Sequence, residues 1–117
     1  MNNGYALDFL PPLNGFDGDF NTIRLGVKWS KQLSTGDMVY LQDSKSKMIF
    51  GKAEVTHIEL DSFGQICLYH AKYNHSEVNR TDDNSAYRIY QLMKKMLGPH
   101  IVNHKKKAVA IYLRRIE

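Results

Sequence analysis

The sequence predicts an α+β fold, a small mixed β-barrel of about five strands with two main flanking helices. Three observations point to it. The segment Met48 to Leu60 reads as one long strand, with Ala53, Val55, His57 and Glu59 on one face and Lys52, Glu54, Thr56 and Ile58 on the other. Both faces are mixed, which suits a curved strand in a small barrel better than a flat two-layer sheet. From Ser62 the period changes, because Phe63, Ile66, Cys67 and His70 recur every three or four residues, as on an amphipathic helix. Finally, 117 residues that are 43% hydrophobic and 24% charged fit a single domain spanning residues 1–117, which excludes a multi-domain enzyme and a disordered chain.

The elements follow in order. Tyr5 to Leu10 is a first strand, stopped by Pro11-Pro12, which have no backbone donors for a ladder. Glycines and aspartates turn the chain between Asn14 and Asp19, and Phe20 to Gly26 is the second strand. Val27 to Leu33 is one or two helical turns, and Thr35-Gly36-Asp37 leads into a strand at Met38 to Gln42. A turn at Asp43 to Lys47 precedes the long strand. Ser62 to Lys72 is a helix with a serine cap. Tyr73 to Asn84 is a polar connection long enough to be suspected of function. A second helix starts among the caps at Asp82 to Ser85, has an apolar face of Ala86, Ile89, Tyr90, Met93, Met96 and Leu97, and stops at Gly98-Pro99. Ala108 to Ile116 alternates as a closing strand.

Charge is uneven along the chain. Through Tyr87 there are eight basic and eleven acidic residues, net −3, whereas Arg88 to Glu117 has eight basic residues and one acid, net +7. Such a block creates a positive potential that attracts polyanions, nucleic acid above all. Lys105, Lys106 and Lys107, read alone, are a solvated turn. Lys94, Lys95, Arg114 and Arg115 nearby add to their weight. One cysteine and no signal-like or membrane-length apolar run lead to the expectation of a cytoplasmic protein with no membrane partner.

Several chemistries find no support. Gly51-Lys52-Ala53 has neither the hydroxyl nor the upstream glycine of a phosphate-binding loop. His100 with His104, and Cys67 with His70, are half-sites without a Cys-x-x-Cys pair, so no metal and no cofactor are expected. Cys67 lies on an apolar helix stripe and reads as core. The densest polar and aromatic group is Asn21-Thr22-Ile23-Arg24 followed by Lys28, Trp29 and Lys31. On a strand, Thr22 and Arg24 share a face, so a hydroxyl and a guanidinium converge on one ligand, with Trp29 either stacking on a base or packed in the core.

The string Thr22-Ile23-Arg24, then Trp29, then Gly36-Asp37-x-Val39-x-Leu41, then Gly51-x-Ala53-x-Val55-x-x-Ile58, resembles the ASCH domain of the PUA-like superfamily. The likeness continues through both helices to Val109–Leu113 and covers almost the whole chain. It implies a small β-barrel with helices around it and a cleft for RNA or a modified nucleobase. One branch of that superfamily, the acetylcytidine amidohydrolases, uses a lysine ahead of the Thr-Ile-Arg strand, the threonine, and a glutamate after the first helix. Here Thr22 and Arg24 match, the lysine place is filled by Asp19 or Phe20, and the glutamate place by Asn74, with Glu77 three residues on. The helix between the first two strands is reduced to the loop Pro11 to Asp19.

The resulting expectation is a module that binds RNA or single-stranded nucleic acid through Thr22, Arg24, Lys28, Trp29, Lys31, Asn74, His75 and Lys105, Lys106 and Lys107. Two rivals remain. One is an amidohydrolase of acylated nucleosides such as N4-acetylcytidine, with Thr22 as nucleophile and Glu77 or Lys28 in the missing roles. The other is a protein-interaction module that has lost the cleft.

Overall fold

The computed structural model describes residues 4–117. Five strands, β1 (Ala6–Phe9), β2 (Asp19–Leu25), β3 (Met38–Asp43), β4 (Ile49–Ser62) and β5 (Lys107–Arg115), form one sheet in the order β1-β3-β4-β5-β2. β1 runs parallel to β3, and the other neighbours are antiparallel. Three α-helices are found among the described residues: α1 (Lys28–Gln32), α2 (Phe63–His70) and α3 (Ser85–Leu97).

Local chemistry sets the boundaries. Ser62 ends β4 and caps α2, its hydroxyl accepting from the Gln65 amide at 3.4 Å, so strand passes into helix without a loop. After α2 the chain tightens into a 3-10 turn at Ala71–Tyr73, which takes up the end of the expected longer helix. Gly98, at φ +97, terminates α3 with a conformation that side chains rarely adopt.

The expected barrel is corrected to an open sheet. β1 and β2 are its two edges and share no ladder. β1 has four residues, and Pro11-Pro12 just beyond it offer no donors to extend pairing. The sheet nevertheless curls, helped by an irregularity in β4 between Val55 and His57, until its edges face each other. A side chain spans the remaining gap: Arg24 Nη2 on β2 donates to the Asp8 carbonyl on β1 at 2.6 Å.

Strand alternation distributes the core over both faces. Phe20, Val109, Ile111 and Leu113 point inside the curl with Leu7, Phe9, Leu41 and Val55. Ile23, Ala108 and Ala110 point outward beneath Phe63, Ile66 and Cys67 of α2 and Ile89 of α3. The small Ala108 and Ala110 leave room for the helices. This double coverage explains why β4 and β5 read as mixed on both faces. It also sends Thr22 and Arg24, in phase with Phe20, into the curl. Among the described residues, no helix is long and apolar enough to cross a membrane.

Candidate functional site at the seam of the sheet

Where β1 and β2 fail to pair, a cavity of about 590 Å³ opens. Its floor is β2, with Thr22 only 4% exposed and Arg24 beside it. The exposed Leu10, Pro11 and Pro12 form one rim, and the 74–76 segment closes one end. A further wall is the second half of α3, where Leu92, Met93, Met96 and Leu97 line the space. A volume of this order suits a small molecule or a single nucleotide.

Thr22 and Arg24 converge as the strand period requires. Arg24 Nε donates to Thr22 Oγ1 at 3.1 Å, leaving the threonine hydroxyl hydrogen free for another acceptor. The guanidinium lies over the Phe9 ring, 5.1 Å from its centre. Burial lowers its pKa to about 10, and the Asp8 carboxylate acts in the opposite sense. Arg24 thus remains a cation at neutral pH, held in a poorly solvated place.

His75 also lines the cavity. Its ring stacks on Phe16 at 4.3 Å and meets Phe9 edge-on at 5.2 Å, while Nδ1 donates to the Asn14 carbonyl at 3.3 Å. Burial pulls its pKa down to about 4, the Asn14 carbonyl opposes this, and the Arg24 charge adds to it. At neutral pH the ring is uncharged and Nε2 is an acceptor. A glycine supports this arrangement: a Cβ on Gly15, at φ +77, would collide with the His75 carbonyl.

The remaining sequence candidates divide. Trp29 lines the cavity and also packs on the core, edge-on to Tyr5. Lys28 is exposed, with Nζ 4.8 Å from the Trp29 ring centre. Lys31 is exposed on α1, outside the cavity lining. Lys105, Lys106 and Lys107 are exposed where the chain enters β5, and the Lys107 carbonyl accepts from Gly26 at 2.7 Å, which ties their turn to the segment leading into Lys28. Asn74 reaches the cavity, but its Oδ1 accepts from both the amide and the hydroxyl of Ser76 and so shapes the turn. Asp19 is exposed, opposite Arg114, and Phe20 is in the core.

Glu77 is placed away from the cavity lining. It is 5% exposed and engaged by Ser85 Oγ at 2.8 Å, Arg88 Nη2 at 2.6 Å and Arg80 Nε at 3.7 Å. Burial alone would raise its pKa, but Arg88 and Ser85 hold the carboxyl below its ordinary value. The role of proton acceptor considered for it therefore lacks geometry. The C-terminal cationic block is likewise partly spent: Arg88 pairs with Glu77 and Asp82, and Arg114 with Glu54 at 3.1 Å. Cys67 is core, its thiol pushed up to about 12 by burial. Among the described residues, no three of His, Cys, Asp and Glu are placed to hold a metal ion.

Sequence reasoning missed Asp8, Phe9 and the α3 wall. The available signal was the width of α3's apolar face: Ile89 alone of the expected face is fully buried, while Met96 and Leu97 remain 47% and 40% exposed. An apolar face wider than its core contact borders an open space.

No family model matches the chain, and no curated protein matches it. Among solved structures, protein EF3133 from Enterococcus faecalis, described under the family model DUF984, is similar over 85% of this chain and 61% of that chain, with 11% identity and a TM-score of 0.57. This chain therefore spans less than two thirds of that protein, and the likeness shows a shared fold. The ASCH domain from Lactobacillus crispatus aligns over 97% of this chain and 80% of that chain, with 10% identity and a TM-score of 0.48. The element order and mixed sheet observed here are those of a small α+β fold, the class that the sequence predicts.

Proposed function

We propose that this chain is a binding module for RNA or single-stranded nucleic acid, which seats one nucleotide in the seam cavity at Thr22 and Arg24. The observation that carries the reading is the convergence of a hydroxyl and a poorly solvated guanidinium in a nucleotide-sized cavity, with Trp29 at its edge. The lysines at 28, 31 and 105–107 add a cationic approach for the backbone. The ordered sequence resemblance to ASCH domains agrees with this, and a cytoplasmic location is proposed with it.

Binding is favoured over hydrolysis of acylated nucleosides. The cavity lining holds no lysine or glutamate, and its one carboxylate, Asp8, has Oδ2 3.5 Å from Lys47. A threonine nucleophile needs a base within reach, and a histidine with a pKa near 4 is a weak one at neutral pH. The test is fluorescence anisotropy of a labelled single-stranded RNA. With four of these five lysines each neutralising a phosphate, affinity falls about 50-fold between roughly 50 and 200 mM salt. Equal affinity at both salts removes the electrostatic part. Release of cytidine from N4-acetylcytidine would replace the binding module with the enzyme.

A further inference from the structure

We infer that the group received by Arg24 is a charged oxyanion, carboxylate or phosphate, carried on an apolar or aromatic body that lies against α3. The inference rests on the proposed function only in sharing its cavity: it specifies which part of a ligand is seized. The guanidinium has five N–H donors. Two are engaged, by the Thr22 hydroxyl and the Asp8 carbonyl, and both acceptors are uncharged.

Among the described residues, no carboxylate forms an ion pair with Arg24. Asp8 turns its Oδ2 toward Lys47 instead, at 3.5 Å. Arg80, Arg88 and Arg114 show the contrast, since each has a carboxylate partner although each is nearer to water. The Asp8 carboxylate acts on Arg24 only from beyond ion-pair distance, and burial outweighs it: a cation withdrawn from water with no paired oxyanion is costly. The neutral edge of a base would leave the charge uncompensated. An oxyanion would form the paired, charge-assisted bonds that a guanidinium makes best.

The body of the ligand is read from the α3 wall of the cavity. Leu92, Met93, Met96 and Leu97 offer no hydrogen bond from their side chains, and methionine adapts to flat aromatic surfaces. For a nucleic acid, the seized element is then a phosphate, with the base against α3. For a small metabolite it is a carboxylate or phosphate on a hydrophobic frame.

The test is isothermal titration of the intact chain with phenyl phosphate, benzoate and the neutral benzamide, followed in parallel by Trp29 fluorescence. At least one anion should bind about tenfold or more tightly than benzamide, and Arg24→Gln should abolish the difference. The comparison of charged with neutral probes on the unaltered chain stands even where the variant fails to fold. Preference for phenyl phosphate assigns the site to a phosphate source, and preference for benzoate to an organic acid. Equal binding of benzoate, phenyl phosphate and benzamide, or no binding of either anion at about 1 mM, overturns the inference. RNA that binds through Arg24 while neither anion does would overturn it and leave the proposed function standing. Anions that bind while RNA does not would do the reverse.

Discussion

Replacing Glu77 by alanine should loosen the cavity by unfastening two of its walls from each other. Asn74 to Ser76 line one end, and the residue that follows them bonds to Ser85 and Arg88 at the start of α3, whose second half is the apolar wall. The Glu77 side chain is 4% exposed, so its loss leaves the Ser85 hydroxyl buried without an acceptor and removes the main partner of Arg88. Because Arg88 is partly exposed and keeps Asp82, the main cost is the orphaned Ser85 hydroxyl, about 2 kcal/mol. For a domain of this size that is a fall of about 8 °C in melting temperature. The pH dependence carries a second signature. The folded pKa lies below the ordinary 4.5, so the stabilisation is complete above about 4.5 and is lost as pH falls through the folded value. Urea titrations of the native chain and of Glu77→Gln, run from pH 6 to about pH 3, should therefore show a shallower loss for the variant. A Glu77→Ala stability within about 0.5 kcal/mol of the native chain, as for an ordinary surface change, would refute the reasoning.

Four further outcomes are expected. Thr22→Val keeps the shape but removes the acceptor for Arg24 Nε, and should weaken RNA binding about five- to tenfold while costing about 1 kcal/mol of stability, read by anisotropy and thermal melting. His75 has a folded pKa of about 4 against an ordinary 6.5, so it favours the fold fully above about 6.5 and loses that contribution as pH falls toward 4; an NMR titration should find its ring neutral at pH 5.5. Gly15→Ala combines a positive φ with a collision at the His75 carbonyl and should cost about 2 kcal/mol or more, with a raised His75 pKa as the ring loosens. Cys67 should resist thiol reagents in the folded chain and react only on unfolding.

Much of the molecule was legible because it is encoded locally. The period change at Ser62, the proline stop after β1 and the glycine stop after α3 are short-range signals, and each marks a boundary that the structure keeps. The pairing of Thr22 with Arg24 was legible for the same reason, since strand alternation puts residues two apart on one face. The pairing of Glu77 was not legible because its partners, Ser85 and Arg88, lie eight and eleven residues on, a separation at which sequence carries no geometry. The pairing within the cationic block was hidden on the same ground: Arg88 finds carboxylates in the 77–82 segment and Arg114 one on β4, while Arg115 donates to backbone carbonyls.

The sequence by itself determined the α+β class, the order of elements and the two-residue motif on β2, all consequences of periodicity and turn chemistry within a few residues. Whether the curled sheet closes was decided only by the tertiary structure. Closure depends on two edges, β1 and β2, meeting after the whole sheet has curled, and there a short proline-stopped strand met an arginine instead of a ladder. The cavity exists because that seam stayed open, and α3 became its wall because only part of its apolar face found core to cover.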